Sequence, residues 1–157
     1  MAKIIATPAL AGRVDVDRIA AVGHSLGGWT VIELAGGRFD AERFQNDCRV
    51  SVGLASCTLI EALGIDHTSA QLAVDARDRQ IKAVVSLDLG LARGFTPQSL
   101  SAIAIPVLVM WAQVDKAALP AQQESGYLRE FIPAAVRRDM EVEGATHFSF
   151  MQACKPG

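Results

Sequence analysis

The chain has 157 residues, half of them apolar, and a net charge of −2. That length fits a single domain, and a mean hydropathy of +0.25 excludes an intrinsically disordered chain. Its 15 Lys and Arg and 17 Asp and Glu are interspersed, so no basic stripe follows a phosphate backbone and no nucleic-acid partner is expected. No apolar run reaches the ~20 residues of a membrane helix. Ile4-Ile5-Ala6 is too short for the core of a signal peptide. The chain as written therefore reads as cytoplasmic, with no membrane partner; a missing N-terminus would leave a periplasmic or secreted location open. Cys48, Cys57 and Cys154 are odd in number and irregular in spacing, which gives neither a disulfide framework nor a zinc site. They are expected to be buried or idle thiols. No cofactor or metal is expected.

Arg18 to Gly23 is a short apolar run ended by glycine and reads as a buried parallel strand. Leu26 to Ala35 reads as a helix closed by Gly36-Gly37, and its only charge is Glu33, so it should be buried nearly all round. Residues 38–80 are more polar, with helix-like pieces at Leu54–Leu63 and Ser69–Arg77. They read as a structural insert, expected at the end of the sheet away from the strand C-termini. Ile81–Leu87 is a second strand. Pro106–Ala112 is a third, with proline at its start, where a missing donor is tolerated. Gln122–Phe131 reads as a helix. Arg137–Glu143 is a fourth strand, whose alternating charges suit an exposed edge. Strands alternating with helices predict an α/β doubly wound, mostly parallel sheet.

Residues 23–28 read Gly-His-Ser-Leu-Gly-Gly. This is G-x-S-x-G between a strand and a helix, the context of a nucleophile elbow. Ser25 would stand on a strained turn at positive φ. Gly23 and Gly27 would avoid collisions between strand and helix. The amide of Leu26, at the helix N-terminus, would face a developing oxyanion. No Gly-Lys-Ser/Thr follows, so this is not a phosphate-binding loop.

A serine nucleophile needs a base, and the base needs an acid to orient it. In this topology the chain order is serine, acid, histidine. His147, in Gly-Ala-Thr-His-Phe beyond the fourth strand, is the candidate base. Asp115, just past the third strand, is the favoured acid, and Asp88, at the end of the second, is its rival. The loser is expected to cap a loop. His24 and His67 read as packed or solvated. Leu89, Leu91 and Phe95, in the segment after the second strand, are candidate pocket walls.

Val16-Asp-Arg-Ile leading into Gly-His-Ser-Leu-Gly-Gly, then Pro106-Val-Leu-Val with Asp115, then Gly-Ala-Thr-His147-Phe, resemble the α/β-hydrolase superfamily. Within it the chain is most similar to the dienelactone hydrolase-like and platelet-activating-factor acetylhydrolase-like groups, from about Val14 to Phe150. The resemblance implies the C-terminal half of an α/β-hydrolase sheet in a single, partial domain over residues 1–157. It also implies a carboxylic-ester hydrolase acting on a small-molecule ester through Ser25, His147 and Asp115. Dienelactone hydrolases proper use cysteine where this chain has Ser25. The acetylhydrolase branch carries its acid after the strand that follows the nucleophile helix, which would select Asp88.

The family has several strands before the nucleophile strand, whereas only about 18 residues precede it here. The expectation is therefore a truncated hydrolase. Its nucleophile strand would be central but short of a partner on one side, and the chain would dimerise or aggregate through that edge. It would also lack the second oxyanion donor, and would be a poor catalyst alone. The competing reading is a catalytically silent piece of hydrolase fold, or a module completed by another chain. A transferase using the same triad is a third.

Overall fold

A computed structural model describes residues 8–10, 12–51, 53–64 and 70–152. Ile4-Ile5-Ala6, His67 and Cys154 lie outside the described residues. The elements run β1 (Ile19–His24), α1 (Leu26–Ala35), α2 (Ala41–Val50), α3 (Ala55–Ala62), β2 (Ile81–Leu87), α4 (Pro97–Ser101), β3 (Val107–Ala112), α5 (Ser125–Phe131) and β4 (Arg137–Val142). α1 ends where Gly36 takes φ 115 and returns its amide to the Glu33 and Ile32 carbonyls. α5 begins at Ser125 rather than Gln122, because the amides of Gln123 and Glu124 close a turn on the Pro120 carbonyl. α2 is polar on the whole; Phe44 is its one fully buried residue, with Ala41 and Cys48 packed beside it on the same face. Asp40 starts it by accepting the Arg43 amide at 2.9 Å. Of the described part of Ser69–Arg77, only Ala70–Ala73 is helical, as a short 3₁₀ turn.

The protein is α/β, with a four-stranded, all-parallel sheet in the order β1-β2-β3-β4 among the described residues. Among the described residues the strand order does not reverse. Right-handed crossovers that keep stepping in one direction stack their helices on one face. On that face Val84, Val107 and Val109 are buried in one cluster with Ile32, Leu100 and Leu128. The opposite face carries Val22, Val85, Leu108, Met110 and Met140, of which Val22 is 64% and Met140 49% exposed. β1 stands at one end of the described strand order, not at its centre. β4 stands at the other end, as its charge pattern predicts. There Asp139 pairs with Arg137 at 2.8 Å and Arg129 at 3.4 Å, and the Trp111 indole N–H donates to Glu141 at 2.9 Å.

The insert does not stay at the far end of the sheet. Trp29 and Phe95 close around Phe39 with ring centroids 5.5 and 6.1 Å away, and Phe44 lies 5.4 Å on its other side. Arg93 pairs with Asp47 of α2 at 2.6 Å, largely out of solvent. Arg43 donates to the Tyr127 hydroxyl at 2.9 Å, and that hydroxyl donates to the Phe95 carbonyl at 2.7 Å. These contacts fasten α2 to the segment after β2, at the C-terminal end of the sheet. Cys48 and Cys57 then form a disulfide between α2 and α3, with Cα atoms 5.6 Å apart. This corrects the expectation of idle thiols: spacing alone does not reveal that the chain reverses between the two helices.

Closing a loop of this length (sequence separation 9) is worth about 2–3 kcal/mol through the unfolded chain. Urea unfolding should therefore show Cys48→Ala/Cys57→Ala less stable than the oxidised protein by that amount, and no different from the reduced one. Glu33 supplies a second test. It is 7% exposed, its Oε1 has no hydrogen-bond partner among the described residues, and burial pushes its pKa up to about 7. The unfolded carboxyl loses its proton near pH 4.5 while the folded one keeps it until about pH 7, so this group's contribution falls as pH rises across that window. Glu33→Gln should raise stability above pH 7, with the gain fading as pH drops towards 4.5.

Candidate active site

β1 delivers Ser25 to a turn that ordinary residues avoid. Ser25 has φ 57 and ψ −120, and its amide donates to the Leu87 carbonyl at 3.0 Å. A non-glycine residue held there stores strain, and the surrounding packing must enforce it. A Cβ at Gly23 would lie 1.9 Å from the Gly27 carbonyl oxygen, so only glycine fits beneath the turn. One at Gly28 would press at 3.0 Å on Leu89 Cβ and Ser86 Oγ, so α1 can approach β2 closely. Gly27 departs from expectation: a Cβ there meets nothing within 4 Å. The collisions fall on Gly23 and Gly28. Leu26 opens α1, where the first amides have no carbonyl one turn back to receive them.

His147 opens a short 3₁₀ turn, His147–Phe150, and is 7% exposed. The Ser149 hydroxyl accepts the Thr146 amide at 2.9 Å and braces that turn. The His147 ring Nε2 lies 3.1 Å from Ser25 Oγ, and its Nδ1 lies 2.7 Å from Asp88 Oδ2. With Nδ1–H donating to the carboxylate, Nε2 is left to accept the serine proton. The other Asp88 oxygen accepts the Ala112 amide at 2.9 Å, and the Asp88 amide donates to the Met110 carbonyl at 2.7 Å. Asp88 is thus locked between β2 and β3.

The acid facing His147 is therefore Asp88 rather than Asp115. Register explains the choice. His24 of β1 pairs with Leu87 of β2, so the residues that follow, Ser25 and Asp88, leave the sheet side by side. Asp115 leaves β3 one strand further away and is exposed. Its Oδ1 accepts the amides of Ala117 at 3.1 Å and Leu119 at 3.0 Å, the loop-capping role expected of the losing carboxylate.

His24 has more than a packing role. Its Nε2–H donates to the His147 carbonyl at 2.8 Å, and the two rings lie 4.5 Å apart. Burial and the neighbouring His147 lower its pKa, so it is neutral at neutral pH and keeps this bond without adding charge beside the base. No sequence motif marks this pairing, because the two positions are 123 residues apart.

A cleft of about 390 Å³ opens over Ser25 and His147. One wall is α3, through Ala55, Ser56, Thr58, Leu59 and Ala62. The other is the Asp115 loop, through Ala117 and Leu119, with Phe148 at the mouth. The insert therefore reaches the site, against expectation. Leu89 and Phe95 are core residues, 1% and 0% exposed, and Gly90 lines the cleft between them. Beneath α3, Glu124 is almost fully buried; its Oε2 accepts the Ala92 amide at 2.8 Å. Burial raises its pKa.

Among the described residues no group of three or more His, Cys, Asp and Glu side chains is placed to hold a metal ion. No described helix is long and apolar enough to cross a membrane. No protein-family model matches the chain, and a search of the curated proteins finds no match.

The glycine geometry makes a paired test. Gly23→Ala should break the elbow and lower the melting temperature or prevent folding. Gly27→Ala should be tolerated and gain about 0.5–1 kcal/mol from the better helix former. Thermal unfolding of the two variants against the parent measures both.

Proposed function

We propose that this protein is a serine hydrolase of carboxylic esters in which Ser25 is the nucleophile, His147 the general base and acid, and Asp88 the orienting acid. One observation carries the reading: Ser25 Oγ, the His147 ring and the Asp88 carboxylate form one hydrogen-bonded chain at 3.1 and 2.7 Å, with the serine held at φ 57 on a strand-to-helix turn. Each link has a chemical purpose. Asp88 fixes the tautomer that leaves Nε2 free and stabilises the imidazolium that forms. As Ser25 Oγ attacks the ester carbonyl, its proton passes to His147 Nε2. The oxyanion develops beside the Leu26 amide and the positive end of α1. The C–O bond to the alcohol then breaks, and His147 returns the proton to the departing oxygen. Water, deprotonated by the same histidine, releases the acid and restores Ser25.

An acid after the strand that follows the nucleophile helix is the pattern the resemblance attaches to the acetylhydrolase-like branch, which supports that branch over the dienelactone hydrolases. The Cys48–Cys57 disulfide supports an oxidising compartment rather than the cytoplasm.

The protein should label with a fluorophosphonate and hydrolyse p-nitrophenyl acetate. Ser25→Ala should abolish labelling and lower kcat by at least about 10⁴. Asp88→Asn should lower kcat by about 10³–10⁴, and Asp115→Asn by less than about tenfold. Labelling or turnover that survives Ser25→Ala refutes the nucleophile; equal losses at the two aspartates refute the choice of acid.

A further inference from the structure

The cleft over Ser25 is not the only space beside it. A second cavity, of about 200 Å³, lies between α1, α3 and the Ala70–Ala73 turn. Trp29, Leu63, Leu72 and Leu91 line it, and Leu26 and Leu59 line both this cavity and the cleft. Apart from Thr30, every side chain around it is apolar. His147 does not reach it.

We infer that this cavity is the acyl-chain subsite, and that the preferred substrates are esters of unbranched apolar acids of about six to eight carbons. The inference rests on the hydrolase reading above and adds the substrate class.

Direction is fixed by the chemistry. His147 Nε2 must return a proton to the alcohol oxygen, so the alcohol half lies on the histidine side of Ser25, in the cleft walled by Ala117, Leu119 and Phe148. The acyl half is bonded to Ser25 Oγ and must leave the other way. Leu26, the next residue, and Leu59, across from it, are the threshold to the apolar cavity. Size follows from volume. An apolar cavity of roughly 150 Å³ stays dry and takes benzene, a six-carbon ligand. A space of about 200 Å³ therefore holds about six to eight carbons. Acetyl would leave it empty, and a twelve-carbon chain would overrun it. A charged acid would find no countercharge among the lining residues.

The test has two arms. In the first, kcat/KM is measured for p-nitrophenyl acetate, hexanoate and dodecanoate. Hexanoate should exceed acetate by at least about tenfold, four more methylenes being buried, and dodecanoate should fall below hexanoate. Leu72→Trp, which fills the cavity, should cut the hexanoate-to-acetate ratio at least about fivefold. If that variant does not fold, Leu63→Trp, at the exposed rim of the cavity, makes the same test. In the second arm, sodium hexanoate is titrated into Ser25→Ala, with sodium acetate as control. Hexanoate should change tryptophan emission saturably, since Trp29 lines the cavity, and acetate should not. Turnover with a flat or acetate-led profile, or with no saturable hexanoate signal, overturns the acyl assignment and leaves the hydrolase reading standing. Absence of both turnover and fluorophosphonate labelling fails that reading, and the acyl assignment with it. Hexanoate binding would then mark the cavity as a plain site for apolar ligands.

Discussion

The hydrogen bond from the Ser25 amide to the Leu87 carbonyl is the constraint on which the rest depends. It extends the parallel pairing of β1 and β2 by one residue beyond the last strand position, and so sets the serine beside Asp88. Without it, Ser25 would relax from a backbone conformation that only packing can enforce, and the two ends of the chain of hydrogen bonds would drift apart. Everything else in the site refers to this pairing. Asp88 is held from one side by its own strand and from the other by the Ala112 amide. His147 arrives from beyond β4 and spans the gap between the serine after β1 and the carboxylate after β2.

Around this pair the molecule builds its walls from remote sequence. α3 comes from a segment whose ends both belong to the opposite end of the sheet. It is brought up by Phe39 among the rings of Trp29, Phe44 and Phe95, by the Asp47–Arg93 pair, and by the covalent link from α2. Aromatic pairs of this kind add roughly 0.5–1.5 kcal/mol each beyond the area they bury. Asp115, though remote from the base, holds the facing loop through two amides. One aspartate thus faces the His147 ring and the other shapes the opening above it.

β1 to β3, α1 and α3 were legible as apolar runs bounded by glycine, proline or polar residues, and β4 by its alternating charges. The elbow was legible because Gly-His-Ser-Leu-Gly-Gly falls between two such elements, and His147 because it follows the last strand. Other features were not. Asp88 and Asp115 both lie beyond strand C-termini, and only the register of β1 on β2 separates them. α2 hid because it is polar on the whole, and the stripe of Ala41, Phe44 and Cys48 is short. The disulfide depends on a chain reversal between α2 and α3 that spacing does not reveal, and the His24–His147 contact joins positions 123 residues apart.

Asp88 itself sits at φ 44, in the left-handed region that few side chains accept. Aspartate and asparagine are the non-glycine residues most at home there, because their short polar side chains can bond locally. Glutamate would keep the charge but lose both the backbone preference and the reach that sets 2.7 Å to the imidazole. The position therefore has an alphabet of two letters, of which one is ionised. A lineage or a designed library that needs an acid here has no neighbouring solution to move to, and must shift the carboxylate to another strand to change it at all.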